Sequence, residues 1–501
     1  MNQPILSPTP TECPEGFIGN LNAEHEAKLR QMWSFIFKVY DMYDSKDPAL
    51  QEAIQNAHKA ASAPKPSRFN PFGKKTEDVS ANAVIEKHLN LSAEGTGEED
   101  KFGLRKQFME MLAHHTSDSI RAMILECIKC DHPDALVLRF LRARKWQIDR
   151  ALIMMFSAMD WRYNKAKVDS DIMKNGEAQA VADEKTNDIA HDFMRQIRPG
   201  KGFLHGTDRL GRPISYVRVR LHKPLAQKVE ALERFIIYQI ETGRLALDAP
   251  VETACLIFDM TGFTLANMDY VPVKFIIQSF EANYPESLGA ILLHNSPWVF
   301  KGIWRIIHPW LDPVVASKVH FTYGREGLEE FIEPSHIIKD LGGDEDWEYT
   351  YDEPVEGEND LMKDTETRDK LLEERRSLAQ KFEDATRRWI ANPEGEEGEK
   401  VKAERNDLFK ETRDNYWKLD PYIRARGLWD RQGNIRGGKT TAWYPEQKAE
   451  ADGKAEAPAA ADAGADDDAA SATQAVEDLK LSGNAEKEAN VTTTSNAVAA
   501  A

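Results

Sequence analysis

Residues 254–260 read "ACLIFDM", five apolar residues in succession before an Asp, the pattern of a strand covered on both faces rather than an alternating, half-solvated one. A second run of this kind, "AILLHNS" (290–296), follows a helical segment, "MDYVPVKFIIQSFEANY" (268–284). Working outward, "PISYVRVR" (213–220) is an earlier strand and Val229–Leu245 the helix that connects it. "PWVFKGIWRIIH" (297–308) is a later helix, "SKVHFTY" (317–323) is short and extended, and "REGLEEFI" (325–332) is helical again. Strands alternating with helices predict βαβ units and a mostly parallel sheet covered by helices, so the body is α/β. Its predicted span is 180–345.

The flanks read as helical. Leu29, Met32, Trp33, Ile36, Phe37 and Tyr40 repeat at helical spacing, as do Ile148, Leu152, Met155, Phe156 and Met159. Between them "LVLRFLRARKW" (136–146) links or caps two helices, and 17–165 is read as an N-terminal helical lobe. Pro, Gly, Ser and charge in "ASAPKPSRFNPFGKKTEDVS" and "LSAEGTGEEDK" predict a flexible insertion at about 46–100. Two charged amphipathic segments, with Leu378, Phe382 and Trp389 on the first and Leu408, Tyr416 and Trp417 on the second, predict a helical hairpin over 360–430. From 448 to 501 the chain is poor in aromatics and rich in Ala, Asp and Glu, the composition of a disordered tail.

Bulk properties narrow the function. The 501 residues carry 83 acidic and 65 basic side chains, a formal net charge of −18, which repels nucleic acid. Four scattered cysteines form no disulfide framework, and the start of the chain has neither a basic n-region nor an apolar h-region. No apolar run approaches the ~18 to 20 residues that span a bilayer. The expectation is a soluble cytoplasmic protein, with the sequons at Asn90 and Asn490 unused, that touches membranes only at their surface.

Catalytic signatures do not hold up. "GNIRGGKT" (433–440) matches the phosphate-loop pattern but lacks an apolar strand before it and an apolar helix after it, so it reads as a solvated turn. Cys127 and Cys130 form a C-x-x-C without a second cysteine pair or a preceding strand, so neither a structural zinc nor a redox pair is expected. There is no G-x-S-x-G, H-E-x-x-H or G-x-G-x-x-G. No enzyme, metal or cofactor is expected.

Four cations within seven residues of "LVLRFLRARKW" are either a solvated face or half of an anion site. Set beside "DRLGRPISYVRV", "CLIFDMTGFT", "FEANYPESLGAILLHNSPWVF" and "HPWLDPVVASKV", the stretch resembles the CRAL-TRIO lipid-binding family, in particular its fungal branch of yeast-type phosphatidylinositol transfer proteins, from about Phe17 to Gly343. The resemblance implies a helical lobe, an α/β lobe, and an apolar pocket for one lipid between the sheet and a mobile helical gate. It implies that Arg144, Lys145, Glu286 and Lys318 hold an inositol phosphate headgroup, with Arg139 and Arg142 in surface or interlobe pairs. A buried phosphodiester needs such partners, because an unpaired buried anion is costly. Two positions depart from the family: Ala266 replaces a hydroxyl residue used by choline-lipid binders, and Val315 stands where some inositol-lipid binders have Thr.

The predicted gate follows Asn295, with Ser296 as N-cap, Pro297 at N1, and Phe300, Ile303, Trp304 and Ile307 as one apolar stripe. Trp298 and Trp304 suit the bilayer interface. The function these readings imply is a monomeric carrier that binds one phosphatidylinositol, exchanges it at the endoplasmic reticulum or endosome, and supports phosphoinositide and phospholipid homeostasis, presenting the lipid to a kinase. The alternatives are a lipid-sensing scaffold whose C-terminal extension binds a protein partner, and a carrier of a neutral cargo such as sterol or squalene.

Overall fold

The computed structural model describes residues 13–62, 79–92, 100–247, 250–437 and 441–448. Seven helices come first: α1 (Ala23–Asp41), α2 (Pro48–Ser62), α3 (Val79–His88), α4 (Leu104–Leu112), α5 (Ser117–Ile128), α6 (Pro133–Ala143) and α7 (Ile148–Asp160). Asn22 caps α1 through His25 N, and a Thr116–Ser119 capping box opens α5. The apolar faces of α1 and α7 meet around Trp33, Ile36, Phe37, Leu152 and Phe156 in one core.

The predicted insertion at 46–100 is corrected here. Leu50, Ala53 and Ile54 of α2, Ala81 and Ile85 of α3, and the following Leu89 are buried in the same core. Helical spacing in these two short segments was masked by the Pro-, Gly- and Ser-rich stretches beside them. Much of those stretches, 63–78 and 93–99, lies outside the described residues.

Helices α8 (Lys174–Asp183) and α9 (Asp188–Ile197) lead into the α/β body: β1 (Gly202–Thr207), β2 (Pro213–Arg218), α10 (Val229–Leu245), β3 (Ala254–Asp259), α11 (Tyr270–Gln278), β4 (Leu288–His294), α12 (Phe300–Ile307), α13 (Pro313–Ser317), β5 (Val319–Thr322) and α14 (Gly324–Glu329). The five strands lie in chain order, β1 antiparallel to β2 and the rest parallel. The mostly parallel sheet is as expected, and β1 is an addition to the expected strands.

The two faces of the sheet are covered differently. Ile214, Tyr216, Cys255, Ile257 and Leu292 share one face, are at most 2 % exposed, and join a core with Leu328, Ile332, Trp429 and Trp443. On the other face, under α11 and α12, Val217, Phe258 and Val319 are only half-buried. Two small apolar clusters cover that face instead of one continuous core, and Phe258 and Val319 pack against both.

The hairpin is present as α15 (Thr365–Ala391) and α16 (Gly395–Ile423), followed by α17 (Leu428–Arg431). It is part of the N-terminal core: Leu378, Phe382, Ala385, Trp389, Val401 and Leu408 pack among the residues of α1 and α5–α7. Arg405, 3 % exposed, reaches Asp134 Oδ1 at 2.6 Å and lies over the rings of Phe382 and Trp389. The apolar face of the extension is therefore occupied by this chain. Glu241 of α10 ties the lobes together. Burial alone would raise its pKa, but Arg162, Lys129 and Arg244 hold it well below the usual carboxylate range. Residues 449–501, nearly all of the expected disordered tail, lie outside the described residues.

Candidate functional site

Helix α6 begins on Pro133 at N1 and ends at Arg144, after which Lys145 and Trp146 both take positive φ, +49 and +61. The turn is closed by Trp146 N donating to Leu141 O at 2.8 Å, and the indole stacks on His25 at 4.1 Å. The basic stretch is thus a rigid helix end. Arg142 pairs with Glu252 at 3.0 Å and donates to Gly16 O, while Arg139 donates to the backbone oxygen of Glu286 at 3.1 Å. Both make the interlobe pairs expected of them.

Glu286 and Lys318 come together. Lys318 Nζ lies 3.5 Å from Glu286 Oε2, with the side chains 23 % and 21 % exposed. Glu286 stands two residues before β4 and Lys318 one residue before β5, so the pair sits at the amino-terminal edge of two neighbouring parallel strands. Leu288, Ile291, Val315 and Val319 of one small apolar cluster lie beside it.

Arg144 is held by a different set of neighbours. Burial lowers its pKa, opposed by the charges of Asp312, Asp100 and Glu281. Those carboxylates are themselves fixed: Glu281 lies in a π-helical turn after α11, accepts from Lys101 at 2.7 Å and from Asp312 N at 2.6 Å, and Asp312 caps α13. Lys145 is exposed. Among the described residues, no hydrogen bond or ion pair joins Arg144 or Lys145 to Glu286 or Lys318. The two halves are nonetheless neighbours in construction, because the segments 279–286 and 312–318 each supply one residue to the Glu286–Lys318 pair and one carboxylate near Arg144. Glu281, Asp312 and Asp100 were not foreseen; only Asp312, an Asp before a Pro at a helix start, carried a local signal.

The gate segment differs from expectation at its start. Helix α12 begins at Phe300 with Val299 as N-cap, while Ser296 Oγ donates to Leu293 O and Phe300 N closes a turn on Pro297 O at 2.9 Å. Ser296 and Pro297 therefore belong to the turn that leaves β4. Phe300, Ile303 and Ile307 are buried against Met260, Phe263, Ile277 and Leu293. Trp304 is half-buried, edge-on to Phe321 at 5.5 Å, and Trp298 is 83 % exposed.

A further cavity of about 800 Å³ opens between α1, α5 and the hairpin, lined by Tyr40, Leu125, Leu372, Arg375 and Tyr422. Arg375 donates there to the carbonyls of Lys129 and Thr412, closing the end of α5. Burial pushes the Cys130 thiol up to about 12 and also raises that of Cys127, which disfavours the thiolate form of both. Among the described residues, no cluster of His, Cys, Asp and Glu suits a metal ion, and no helix is long and apolar enough to cross a membrane. The Gly433–Thr440 stretch is described only to Gly437, where Asn434 and Ile435 are buried rather than solvated.

Comparison with known proteins agrees with this architecture. The CRAL/TRIO domain family matches residues 197–343 and the CRAL/TRIO N-terminal domain family matches 105–156. The chain is 38 % identical to the CRAL-TRIO domain-containing protein C3H8.02 of Schizosaccharomyces pombe, over 83 % of this chain and 91 % of that one. It is 37 % identical to the phosphatidylinositol transfer protein CSR1 of Eremothecium gossypii, over 85 % of this chain and all of the relative. The SEC14 cytosolic factor of Yarrowia lipolytica is 28 % identical over 40 % of each chain.

Proposed function

The chain belongs to the CRAL-TRIO family, a lipid-binding family, and on that premise we propose that it carries one phosphatidylinositol and exchanges it at membrane surfaces. The observation that carries the reading is the Glu286–Lys318 pair at the edge of the incompletely covered sheet face. Lys318 supplies charge to a phosphodiester and Glu286 accepts from inositol hydroxyls. Arg144 and Lys145 complete the anion site from the end of α6. Val217, Phe258 and Val319, half-buried between two small clusters, offer the acyl chains an apolar bed.

Free transfer of a two-tailed lipid through water costs about 0.8 kcal/mol per CH₂, on the order of 20 kcal/mol in all. The carrier therefore opens against the bilayer. Helix α12 is the moving part in this reading, since it is short, buries one stripe on a small cluster of its own, and follows the exposed Trp298. The cargo has no covalent chemistry to undergo.

The test is mass spectrometry of the lipid loaded by the full chain, comparing wild type with Lys145→Ala/Lys318→Ala. Phosphatidylinositol held by wild type and lost from the variant supports the site. A neutral cargo kept equally by both overturns it.

A further inference from the structure

Loops leave the carboxyl ends of the parallel strands β2 to β5, and each carries a large apolar side chain into solvent. Leu225 is 98 % exposed, Trp298 83 %, Leu265 62 % and Tyr323 55 %. The strands are adjacent and parallel, so these loops share one edge of the sheet, opposite the Glu286–Lys318 edge. Single exposed apolar residues are ordinary; one on every loop of an edge is not.

The loops are bonded to one another. Asn267 Nδ2 donates to His222 O at 2.8 Å and to Arg220 O at 3.3 Å, joining the first loop to the second. Asn295 Nδ2 donates to Thr261 Oγ1 at 3.0 Å, and Asn295 Oδ1 accepts from Gly324 N at 2.9 Å, joining the second to the third and the third to the fourth. Beneath them Lys201 Nζ meets His222 Nδ1 at 2.8 Å, and His222 Nε2 meets Asp269 Oδ2 at 3.2 Å. The tips thus stand on a fixed base. Leu225 also holds φ +63, a left-handed backbone unfavourable for a bulky L-residue, while exposing almost its entire side chain. Both features are unfavourable in water, and an outlier of this kind calls for a functional account.

Charge identifies the partner. Residues 219–228, 260–268, 295–307 and 319–324 contain no Asp or Glu, in a chain that carries 83. They contain Arg220, Lys223, Lys228, Lys301 and Arg305. Arg220 is paired with Asp259 and Lys228 with Asp188, whereas Lys223, Lys301 and Arg305 make no ion pair among the described residues. Apolar tips and unpaired cations on segments that carry no carboxylate of their own match the headgroup layer of an anionic bilayer.

We propose that this rim docks the protein on anionic phospholipid membranes, with Leu225 and Leu265 as anchors separate from α12. The inference rests on the carrier reading only in that a carrier must reach a bilayer; the identity of the cargo plays no part.

The test is co-sedimentation of the full chain with phosphatidylcholine vesicles made with and without phosphatidylserine. Wild type should favour the anionic vesicles and release in salt. Leu225→Asp/Leu265→Asp should bind at least about tenfold more weakly, the loss expected from one unburied leucine, with lipid content and melting temperature unchanged. Lys223→Glu/Lys301→Glu should abolish the preference for phosphatidylserine. A double-Asp variant that binds like wild type, or a wild type that binds neither vesicle, overturns the proposal. Rim-dependent binding by a protein that loads no phosphatidylinositol supports it and removes only the cargo assignment.

Discussion

Replacing Lys318 by Ala separates two roles that the Glu286–Lys318 geometry leaves combined. At 3.5 Å and roughly one-fifth exposure, the ammonium both neutralises Glu286 and stands ready for a phosphate. A hydrogen bond to a charged group contributes about 1.5 to 3 kcal/mol, so Lys318→Ala should weaken phosphatidylinositol binding about 10- to 100-fold. The partial exposure favours the lower end of that range. Glu286→Gln alone should cost less, because the amide still accepts from a hydroxyl and no longer repels the phosphate. The double variant decides. If Lys318 holds the phosphate, Glu286→Gln does not rescue Lys318→Ala; if Lys318 merely offsets Glu286, affinity returns to the wild-type value. The assay is competitive displacement of a fluorescent phosphatidylinositol from the purified full chain. Full rescue, or Lys318→Ala within twofold of wild type, refutes the reasoning.

Two other outcomes are accessible. Arg405→Met should destabilise the protein by about 3 to 5 kcal/mol in urea at neutral pH, because it strands buried Asp134. In the wild type, burial would raise the pKa of Asp134, but Arg405, His132 and Trp33 hold it below its ordinary value. That contribution is present above the unfolded carboxylate range and is lost as pH falls through the folded pKa. In the variant burial dominates and the sign reverses, so the stability gap should narrow between neutral pH and about pH 4; a constant gap refutes the pairing. Trp304→Ala should slow vesicle-to-vesicle lipid transfer several-fold while changing stability modestly, since the ring is only half-buried. Phe300→Ala, 6 % exposed, should slow transfer and also cost about 3 to 5 kcal/mol. Unchanged transfer in both would remove α12 as the gate.

The parallel strands were legible because β3 and β4 are short apolar runs punctuated by turn residues, and β2 and β5 are β-branched and aromatic segments set off from them by helical periods. Strand β1 was not: "GFLHGT" carries two glycines and a histidine, and its cover comes from far along the chain, with Trp347 stacked on His205 at 3.9 Å and Tyr444 Oη accepting from Thr207 N at 3.0 Å. The helices α2 and α3 were hidden by composition averaged over too wide a window. At the site, the basic helix end was visible as a charge cluster, and resemblance alone connected it to Glu286 and Lys318. The carboxylates around Arg144 were invisible, since Asp100, Glu281 and Asp312 converge from separate segments and no local pattern records such a meeting.

The hairpin's place in the N-terminal core sets a timetable for synthesis. Phe382 meets Trp33 edge-on at 6.0 Å, Arg387 pairs with Asp41 at 2.9 Å, and Lys402 pairs with Glu26 at 2.7 Å, so the first helix made waits for nearly the last. At ribosomal rates of about 5 to 20 residues per second, the roughly 350 residues separating the ends of α1 and α15 take about 20 to 70 s to emerge. Throughout that interval the nascent lobe lacks the cover that α15 and α16 provide, and a chain stopped short of α16 never acquires it. Premature termination anywhere before the hairpin therefore yields a product that the cell's holdases and proteases can recognise by its unshielded aromatic face.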